Sequence, residues 1–311
     1  MTIPEGVNES EVDVSGRTVK LTNLDKLFWP ELGLTKRDLL QYYADISKAL
    51  LPHLEDRAMV MKRYPNGADG EFFFMKRTPR PHPEWLQTCS ITHGSGNVIA
   101  FPVINHLAAL LWLVNLGCID LNQWYARCDD VNRPDYLHFD LDPVTDSAGR
   151  VSDWKQVLET ACAVRAALDE LGMPSYPKTS GSKGLHVYVP IARGPLQKQV
   201  WTFAKQFAKT LESRHPGIIT AEYRIAKRPA GRVLVDYNQN AWGRTLASVY
   251  SVRPRPLATV STPVRWDEVT QGFDMSAFRI ENVPGRVREL GDLFRPLLLP
   301  RGRVSLEKFL K

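Results

Sequence analysis

Two aspartates separated by a single residue are the part of the sequence with the clearest capacity for chemistry. Asp140 and Asp142 lie in residues 136–143, YLHFDLDP. The Tyr and Phe residues favour a β-strand that finishes near Asp142, because Pro143 cannot donate to a sheet ladder. Side chains alternate along a strand, so both carboxylates leave one face, with Cα atoms roughly 6.6 Å apart. Such a pair can hold one or two hard divalent cations, although an isolated Asp-x-Asp is also typical of a solvated turn.

A second segment has the composition of a phosphate-binding turn. Residues 179–184, TSGSKG, join two apolar stretches that we expect to be strands. Glycines let backbone N–H groups approach a phosphate, hydroxyls can donate, and Lys183 supplies a point charge. The Walker A spacing is absent and no helix follows directly, so a plain turn is the alternative interpretation. For His186, at the start of the next strand, a satisfied structural role is the simpler expectation.

Asp236 supplies a third carboxylate, at the end of a strand predicted over residues 232–237. With Asp140 and Asp142 it would complete the oxygen-rich shell that a pair of Mg²⁺ or Mn²⁺ ions needs, while substrate phosphates fill the open positions. A turn aspartate is the alternative for Asp236 taken alone. The occurrence of both aspartate strands and the Ser/Gly/Lys turn in one basic chain favours nucleotidyl transfer.

The composition is that of a basic globular protein. The 311 residues are 43% hydrophobic, enough for one large domain or two ordinary ones, and the net charge of +6 suits a polyanionic partner. The four cysteines show no CxxC spacing, which argues against a zinc ribbon and a secreted disulfide framework. The apolar stretch 107–116 is too short to span a bilayer, and the N-terminus lacks a signal pattern. We expect a reduced, cytoplasmic, nucleoid-associated protein with no membrane partner.

The elements that must position these residues follow from periodicity, which predicts an α/β domain wrapped by its own terminal segments. Thr35 followed by Asp38 predicts a helix start flanked by Lys26 and Lys36. In the run of phenylalanines at residues 72–74, alternation should bury at least one ring. Further predicted helices run from an Asn105 cap to Leu116, from a cap near Ser152 to Leu171, and from Pro195 to Leu211 with Leu196 on the apolar face.

Three motifs taken together resemble a known family. HFDLDP at 138–143, KTSGSKGLHVY at 178–188 and VDYNQN at 235–240 are similar, in this order and spacing, to the polymerase domain of bacterial ligase D in the archaeo-eukaryotic primase superfamily. The resemblance extends from about Leu21 to Pro300. It implies an α+β fold with an RRM-like mixed sheet, flanked by helices and wrapped by an N-terminal subdomain. It implies one primase-polymerase domain over residues 1–311, with about 1–100 binding DNA ends and about 101–300 catalytic.

The resemblance also implies roles for individual residues. Asp140, Asp142 and Asp236 correspond to catalytic ligands of two Mn²⁺ or Mg²⁺ ions. Asn122 and Pro229 depart from the family, which commonly has a histidine and a loop arginine there, although Arg228 is adjacent to Pro229. The implied nucleotide contacts are Lys62, Phe73, Phe74, Ser180, Lys183, Gln239 and Arg253, with Phe73 and Phe74 stacking on a base. The implied 5′-phosphate contacts are Asn23, Lys26 and Lys36, for which a solvated helix entrance is the alternative.

The implied activity is template-dependent and end-extending nucleotide addition, preferably of ribonucleotides, at DNA gaps and double-strand breaks. It would serve nonhomologous end joining or short gap filling. The expected partners are DNA with gaps, breaks and 5′-phosphate ends, NTPs or dNTPs, a ligase and the Ku end-binding protein. A primer-independent primase, a non-catalytic DNA-end bridging module and a metal-dependent nuclease stay open as alternatives. The nuclease would not need Ser180 and Lys183, and the bridging module would tolerate loss of the aspartates.

Overall fold

The computed structural model of the chain describes residues 1–145 and 153–310. The strands are β1 (Ser10–Asp13), β2 (Thr18–Leu21), β3 (Leu27–Trp29), β4 (Leu34–Thr35), β5 (Met59–Arg63), β6 (Phe73–Met75), β7 (Thr88–Thr92), β8 (Val98–Pro102), β9 (Cys118–Gln123), β10 (Tyr136–Pro143), β11 (Tyr176–Thr179), β12 (Leu185–Pro190), β13 (Ile219–Thr220) and β14 (Val233–Asp236). The helices are α1 (Lys36–Leu54), α2 (Leu107–Asn115), α3 (Trp154–Glu170), α4 (Gln197–Arg214), α5 (Trp266–Gln271) and α6 (Val283–Leu290). Within the described ranges, no helix has the length and apolar character needed to cross a membrane.

The mixture of helices and small sheets confirms the predicted α+β class. The chain forms two compact units, each built from several separate stretches. Unit 1 comprises Met1–Val131, Thr245–Ser261 and Phe278–Asp292, and unit 2 comprises Asn132–Arg244, Thr262–Ala277 and Leu293–Lys311. The RRM-like character of the sheet and the functional division near residue 100 stay predictions.

Unit 2 is organised around a five-stranded sheet in the order β11-β12-β10-β14-β13. All neighbours are antiparallel except the β13–β14 pair. Helices α3 and α4 pack against the central strand β10, where the ring of Phe139 stacks on Phe207 of α4 with centroids 4.7 Å apart. Because side chains alternate along β10, His138, Asp140 and Asp142 leave the opposite face. The helices therefore cover the apolar face and leave the polar side chains together on the other.

Unit 1 combines a three-stranded antiparallel sheet, β6-β5-β9, with the hairpins β1-β2, β3-β4 and β7-β8. Its helices α1 and α2 pack on each other. The predicted start of α1 is confirmed, because Thr35 and Asp38 form a reciprocal capping box. The Asp38 N–H donates to Thr35 Oγ1 at 3.3 Å, and the Thr35 N–H donates to Asp38 Oδ2 at 2.7 Å. This cap fixes the first turn of the helix, where Lys36 lies.

The prediction that the phenylalanine run buries a ring is wrong. Phe72, Phe73 and Phe74 are 50%, 42% and 61% exposed. The physical reason is the position of β6, which is an edge strand paired only with β5. Alternation along an edge strand buries a side chain only if another layer covers one of its faces. The three rings are thus available at the surface of unit 1.

Two predictions about helix starts also differ from the structure. His106, whose ring accepts from the Ala109 N–H, caps α2 in place of Asn105. Asn105 instead accepts from the Asp56 N–H at 2.8 Å. Leu196 is 45% exposed because it is the N-cap of α4 and lies before the first helical turn. The predicted cap at Ser152 lies outside the described residues, and α3 begins after Asp153.

Candidate active site

The sheet of unit 2 aligns four polar side chains across four strands. In the ladders of β10, Asp140 lies opposite His186 of β12 on one side and opposite Asp236 of β14 on the other. Lys178 of β11 lies opposite His186 and extends the row. Directly opposite residues share a face and have Cβ atoms about 4.5–5.5 Å apart. Asp142, two residues along β10, shares that face, so the three predicted carboxylates are neighbours.

Each of the two opposed aspartates lies beside a polar side chain of its own. Asp140 is 6% exposed, and its Oδ1 lies 3.2 Å from Nε2 of His186. Asp236 accepts from the Asn238 N–H at 2.7 Å and from Nε2 of Gln239 at 3.1 Å. Gln239, predicted to contact the nucleotide, therefore orients a carboxylate. His186, expected to have a structural role, lies in the carboxylate row.

The donor set suits a hard divalent cation, although its shell is not assembled. In residues 1–145 and 153–310, no three His, Cys, Asp or Glu side chains form a group that could hold a metal ion as they stand. Two of the carboxylates instead lie beside the side chains of His186 and Gln239. Carboxylate oxygens are the ligands that Mg²⁺ and Mn²⁺ prefer, and the backbone already places all three on one face.

The Ser/Gly/Lys turn differs in detail from the predicted phosphate cradle. Ser180 Oγ accepts the N–H groups of Ser182, Lys183 and Gly184 at 3.1, 3.2 and 3.0 Å. These three N–H groups therefore face Ser180, which is only 5% exposed. Lys183 itself is exposed. The turn is fixed by its own hydrogen bonds and presents an exposed lysine. The predicted backbone cradle for a phosphate is not formed in this conformation.

Gly184 brings this turn against the end of the aspartate strand. A Cβ atom at this position would lie 2.2 Å from the carbonyl oxygen of Leu141 and 2.8 Å from Oδ1 of Asp142. Such contacts are closer than van der Waals packing allows, so only glycine permits the approach. Lys183 directly precedes Gly184 in the chain. The close approach of Gly184 therefore holds Lys183 near the carboxylate face. Gly184 was not predicted from the sequence as a site residue, although a glycine just before a strand was an available signal.

The segment after β14 is hydrogen-bonded to β10 through the side chain of Asn240. The Asn240 side chain donates to the carbonyl of His138 at 2.7 Å and accepts from its N–H at 3.1 Å. The burial of His138 lowers the pKa of its imidazole well below the usual value, and nearby His186 and Lys178 add to this effect. A neutral His138 thus lies on the same face as the row, two residues before Asp140 on β10. Pro229, which differs from the family pattern, lies in the loop before β14. Its neighbour Arg228 donates to the carbonyl oxygens of Glu222 and Tyr223 and so stabilises this loop.

In unit 1, the predicted base-stacking residues lie on opposite faces of the edge strand. The β5–β6 ladder pairs Lys62 with Phe74 and Arg63 with Phe73. Lys62 Nζ lies 4.1 Å from the ring centroid of Phe72 and 5.7 Å from that of Phe74. The guanidinium of Arg63 lies 5.2 Å from the Phe73 ring. Each face therefore offers a cation beside an aromatic ring. Of Phe73 and Phe74, only Phe74 shares its face with Lys62.

Asp120 is a carboxylate that lies next to both predicted nucleotide-binding cations of unit 1. This carboxylate is 2% exposed, and its Oδ2 lies 3.3 Å from Nε of Arg253. Lys62 lies opposite Asp120 in the β5–β9 ladder. Burial lowers the pKa of Lys62, while Asp120 opposes that shift. Asn122, the departure from the family, donates to Oδ1 of Asp120 at 3.3 Å and so supports the same carboxylate.

The residues predicted to bind a 5′-phosphate line one cavity of unit 1 with a volume of about 270 Å³. Lys26 Nζ donates to the Pro65 carbonyl at 2.7 Å, and Lys36 Nζ donates to the Thr22 carbonyl at 2.6 Å. Arg63, which sequence reasoning missed, is a third cation in the wall. The lining residues are Thr22, Asn23, Lys26, Phe28, Lys36, Arg63, Pro65, Asn115, Leu116 and Gly117.

Burial and neighbouring positive charges together lower the pKa of one of the cavity's lysines. Burial lowers the pKa of Lys36 to about 8, and the charges of Lys26 and Arg63 contribute further. A bound anion would raise the pKa of Lys36 again, because it would give the charged lysine a favourable partner. This arrangement is more than a solvated helix entrance, because Lys36 is only 4% exposed.

Comparison with known proteins gives a consistent assignment. The family model described as the LigD primase-polymerase domain matches residues 35–294. The multifunctional non-homologous end joining protein LigD of Mycolicibacterium smegmatis is 37% identical over 90% of this chain and 36% of its own length. The bifunctional LigD of Bacillus subtilis is 31% identical over 88% of this chain and 43% of its own length. The chain therefore spans less than half the length of these curated relatives.

A solved structure shares the fold. The polymerase domain from Mycobacterium tuberculosis ligase D, in complex with DNA, superposes with a TM-score of 0.82 at 32% sequence identity. The match covers 90% of this chain and 98% of that one. The chain has the two aspartate-bearing strands, the Ser/Gly/Lys turn and the cation cavity, and the family model matches most of its residues. This chain therefore belongs to the LigD primase-polymerase domain family.

Proposed function

We propose that this chain is a metal-dependent nucleotidyltransferase that extends the 3′-hydroxyl of DNA at gaps and breaks. The observation that carries the proposal is the single sheet face shared by Asp140, Asp142 and Asp236, beside the turn that presents Lys183. Family membership supports polymerase chemistry, and the solved relative is described as a polymerase domain in complex with DNA. A bridging module would not need three carboxylates on one face.

The chain's own groups have distinct roles in this reaction. Asp140, Asp142 and Asp236 would hold Mn²⁺ or Mg²⁺, and the bound ions would activate the primer hydroxyl and neutralise charge on the leaving pyrophosphate. Lys183 pairs with the triphosphate as a point charge. His186 and Gln239 orient the carboxylates, as their contacts with Asp140 and Asp236 indicate.

We also propose nucleotide-binding and base-stacking roles for residues of unit 1. Lys62 and Arg253 supply positive charge for the incoming nucleotide, and buried Asp120 fixes the Arg253 guanidinium. Phe74, 61% exposed on the Lys62 face, stacks on a base. Phe73 presents a second stacking surface on the opposite face, beside Arg63.

The cation cavity is proposed to bind the 5′-phosphate that borders a gap. A terminal phosphate carries about two negative charges, whereas an internal phosphate carries one. Asn23 lies in the cavity wall with the cations Lys26, Lys36 and Arg63, which can distinguish the two kinds of phosphate by charge. This contact would place the enzyme at the downstream edge of a gap or at a broken end.

The proposed pathway is nonhomologous end joining, with short gap filling as part of it. The names of the curated relatives support this assignment. A ligase and the Ku end-binding protein are the proposed protein partners, and ribonucleotides with Mn²⁺ the proposed preferred substrates. These finer features are proposed for this chain because of its resemblance to the family.

Primer extension on a gapped duplex tests the proposal. The wild-type chain should extend a labelled primer with Mn²⁺ or Mg²⁺, and comparison of rNTPs with dNTPs gives the sugar preference. Asp140→Ala with Asp142→Ala should lose extension by at least about a hundredfold while retaining DNA binding. Asp169→Ala, an exposed aspartate of α3, is the matched control. Full extension by the double variant would rule the mechanism out.

A further inference from the structure

Helix α4 of unit 2 carries three lysines on one side. Lys198, Lys205 and Lys209 are seven and four residues apart in the sequence, so they project from the same sector of the helix. The residues that α4 buries, including Val200 and Phe207, belong to a different sector, which faces the sheet. Lys198 and Lys209 are exposed, and Lys205 is partly exposed. We call these three residues the lysine stripe.

The lysine stripe has no compensating negative charge. Among residues 1–145 and 153–310, no carboxylate forms an ion pair with any of its three lysines. Helix α4 contains a single acidic residue, Glu212. Its Oε1 accepts from the Thr220 hydroxyl and from the Ala221 N–H, both at 3.0 Å, so this carboxylate is held at the end of β13. The stripe is therefore a positive surface that suits a polyanion.

An oriented tryptophan lies at the N-terminal end of the stripe. Nε1 of Trp242 donates to Oδ1 of Asn132 at 3.2 Å. The Gln197 N–H donates to the carbonyl of the same Asn132 at 2.7 Å, which places Trp242 beside the first turn of α4. Trp242 is 38% exposed. A hydrogen bond thus fixes the indole, while more than a third of its surface stays open to a ligand.

A second tryptophan joins the stripe to the segment that carries Trp242. Nζ of Lys205 lies 5.1 Å from the ring centroid of Trp201. Nε1 of Trp201 donates to Oδ1 of Asn238 at 3.0 Å, four residues before Trp242. The segment 238–242 therefore runs along α4, and cations and indole rings form one surface.

This surface is separate from the proposed metal site. Helix α4 packs on the face of β10 that bears Phe139, whereas Asp140 leaves the opposite face. The carboxylate row and the lysine stripe thus belong to different sides of the unit 2 sheet. A ligand bound along the stripe would not need to occupy the nucleotide site.

We propose that the lysine stripe and Trp242 bind single-stranded DNA. The phosphates of the strand follow the lysines, which extend over about 16 Å of the helix axis, and one base stacks on Trp242. Positive charge alone would suit an acidic peptide equally well. The exposed indole favours a single strand, because each unpaired base presents a flat ring face and an acidic side chain does not.

The test measures fluorescence anisotropy of a labelled oligothymidylate with a 5′-hydroxyl end, added to the full chain without divalent metal. The 5′-hydroxyl excludes the proposed terminal-phosphate contact, and the omission of metal excludes the proposed metal site. Trp242→Ala should raise the Kd at least about fivefold. Trp242→Phe keeps an aromatic ring and should stay within about twofold of the wild type. Primer extension is not measured, so the result is independent of the proposed polymerase activity.

The contribution of the lysines is measured by the salt dependence of the same Kd. Each phosphate contact to a single strand adds about 0.7 to the slope of log Kd against log salt concentration. Replacing all three lysines of the stripe with glutamine should therefore lower the slope by about two. The matched control replaces three exposed lysines elsewhere and should leave the slope unchanged: Lys20→Gln, Lys48→Gln and Lys155→Gln.

Ultraviolet crosslinking of the wild-type complex, followed by peptide mapping, locates the strand without any variant. We expect crosslinked peptides that contain Trp242 or residues 198–209. Crosslinks confined to other parts of the chain, an equal Kd for Trp242→Ala and the wild type, or an unchanged salt slope in the stripe variant would overturn the proposal. Polyglutamate that competes as well as unlabelled oligothymidylate would also overturn it, because the surface would then select an acidic partner by charge alone.

Discussion

Raising the pH from 7 to 9 should remove most of the preference for a 5′-phosphate, because Lys36 loses its proton over that range. Burial and the neighbouring Lys26 and Arg63 lower the pKa of Lys36 to about 8 in the free protein. The protonated fraction then falls from about nine tenths at pH 7 to about one tenth at pH 9. A bound phosphate dianion favours the charged lysine, so its pKa is higher in the complex. Binding above pH 8 must take up a proton, and affinity falls by up to about tenfold per pH unit.

Fluorescence anisotropy with gapped duplexes measures this effect. The quantity of interest is the ratio of Kd values for a 5′-hydroxyl and a 5′-phosphate gap, since other effects of pH on DNA binding cancel in it. The terminal phosphate ionises for the second time near about pH 6 and stays a dianion throughout. The wild-type ratio should fall about tenfold between pH 7 and pH 9, and Lys36→Gln should give a low ratio at both values. Lys48→Gln, an exposed lysine of the same helix, should behave as the wild type.

Two results would refute this reasoning about the phosphate cavity. One is a wild-type ratio that does not change between pH 7 and pH 9. The other is an equal fall in the wild type and in Lys36→Gln, because the titrating group would then lie elsewhere.

Three substitutions test other parts of the site. Gly184→Ala should destabilise the chain by about 2 kcal/mol in urea unfolding and depress primer extension, because its Cβ would lie 2.2 Å from the Leu141 oxygen; unchanged stability contradicts the close approach. Gln239→Ala should raise the Mn²⁺ concentration needed for half-maximal extension by about 10- to 100-fold, whereas an unchanged requirement removes its orienting role. Phe74→Ala should raise the KM for nucleotide more than Phe73→Ala does, since only Phe74 shares a face with Lys62; equal effects contradict this assignment.

The local parts of the site were predictable from the sequence. The two-residue period of a strand places Asp140 and Asp142 on one face, and Thr35 with Asp38 marks the start of α1. Both predictions depend on residues that are neighbours in the chain. The structure confirms them because no distant contact overrides the local preference.

The remaining features depend on contacts between distant segments. The pairing of Asp236 with Asp140 follows from strand register, which sequence periodicity does not specify across about a hundred residues. Arg63 reaches the phosphate cavity because its side chain leaves the face opposite to that of Lys62. The phenylalanine run is exposed because β6 is an edge strand, and the turn N–H groups face Ser180 because its hydroxyl lies at their centre. Such features require the assembled sheets.

In the proposed reaction, the three aspartates hold divalent cations beside the nucleotide. Crystals of the chain grown with Mn²⁺ and a non-hydrolysable NTP, measured at the manganese absorption edge, locate the ions directly by anomalous scattering. We predict manganese in contact with Asp140, Asp142 and Asp236, with the triphosphate near Lys183, and loss of at least one ion in Asp236→Asn. Manganese bound elsewhere, with Asp140 still beside His186 and Asp236 still beside Gln239, would show that the three aspartates do not form the metal site.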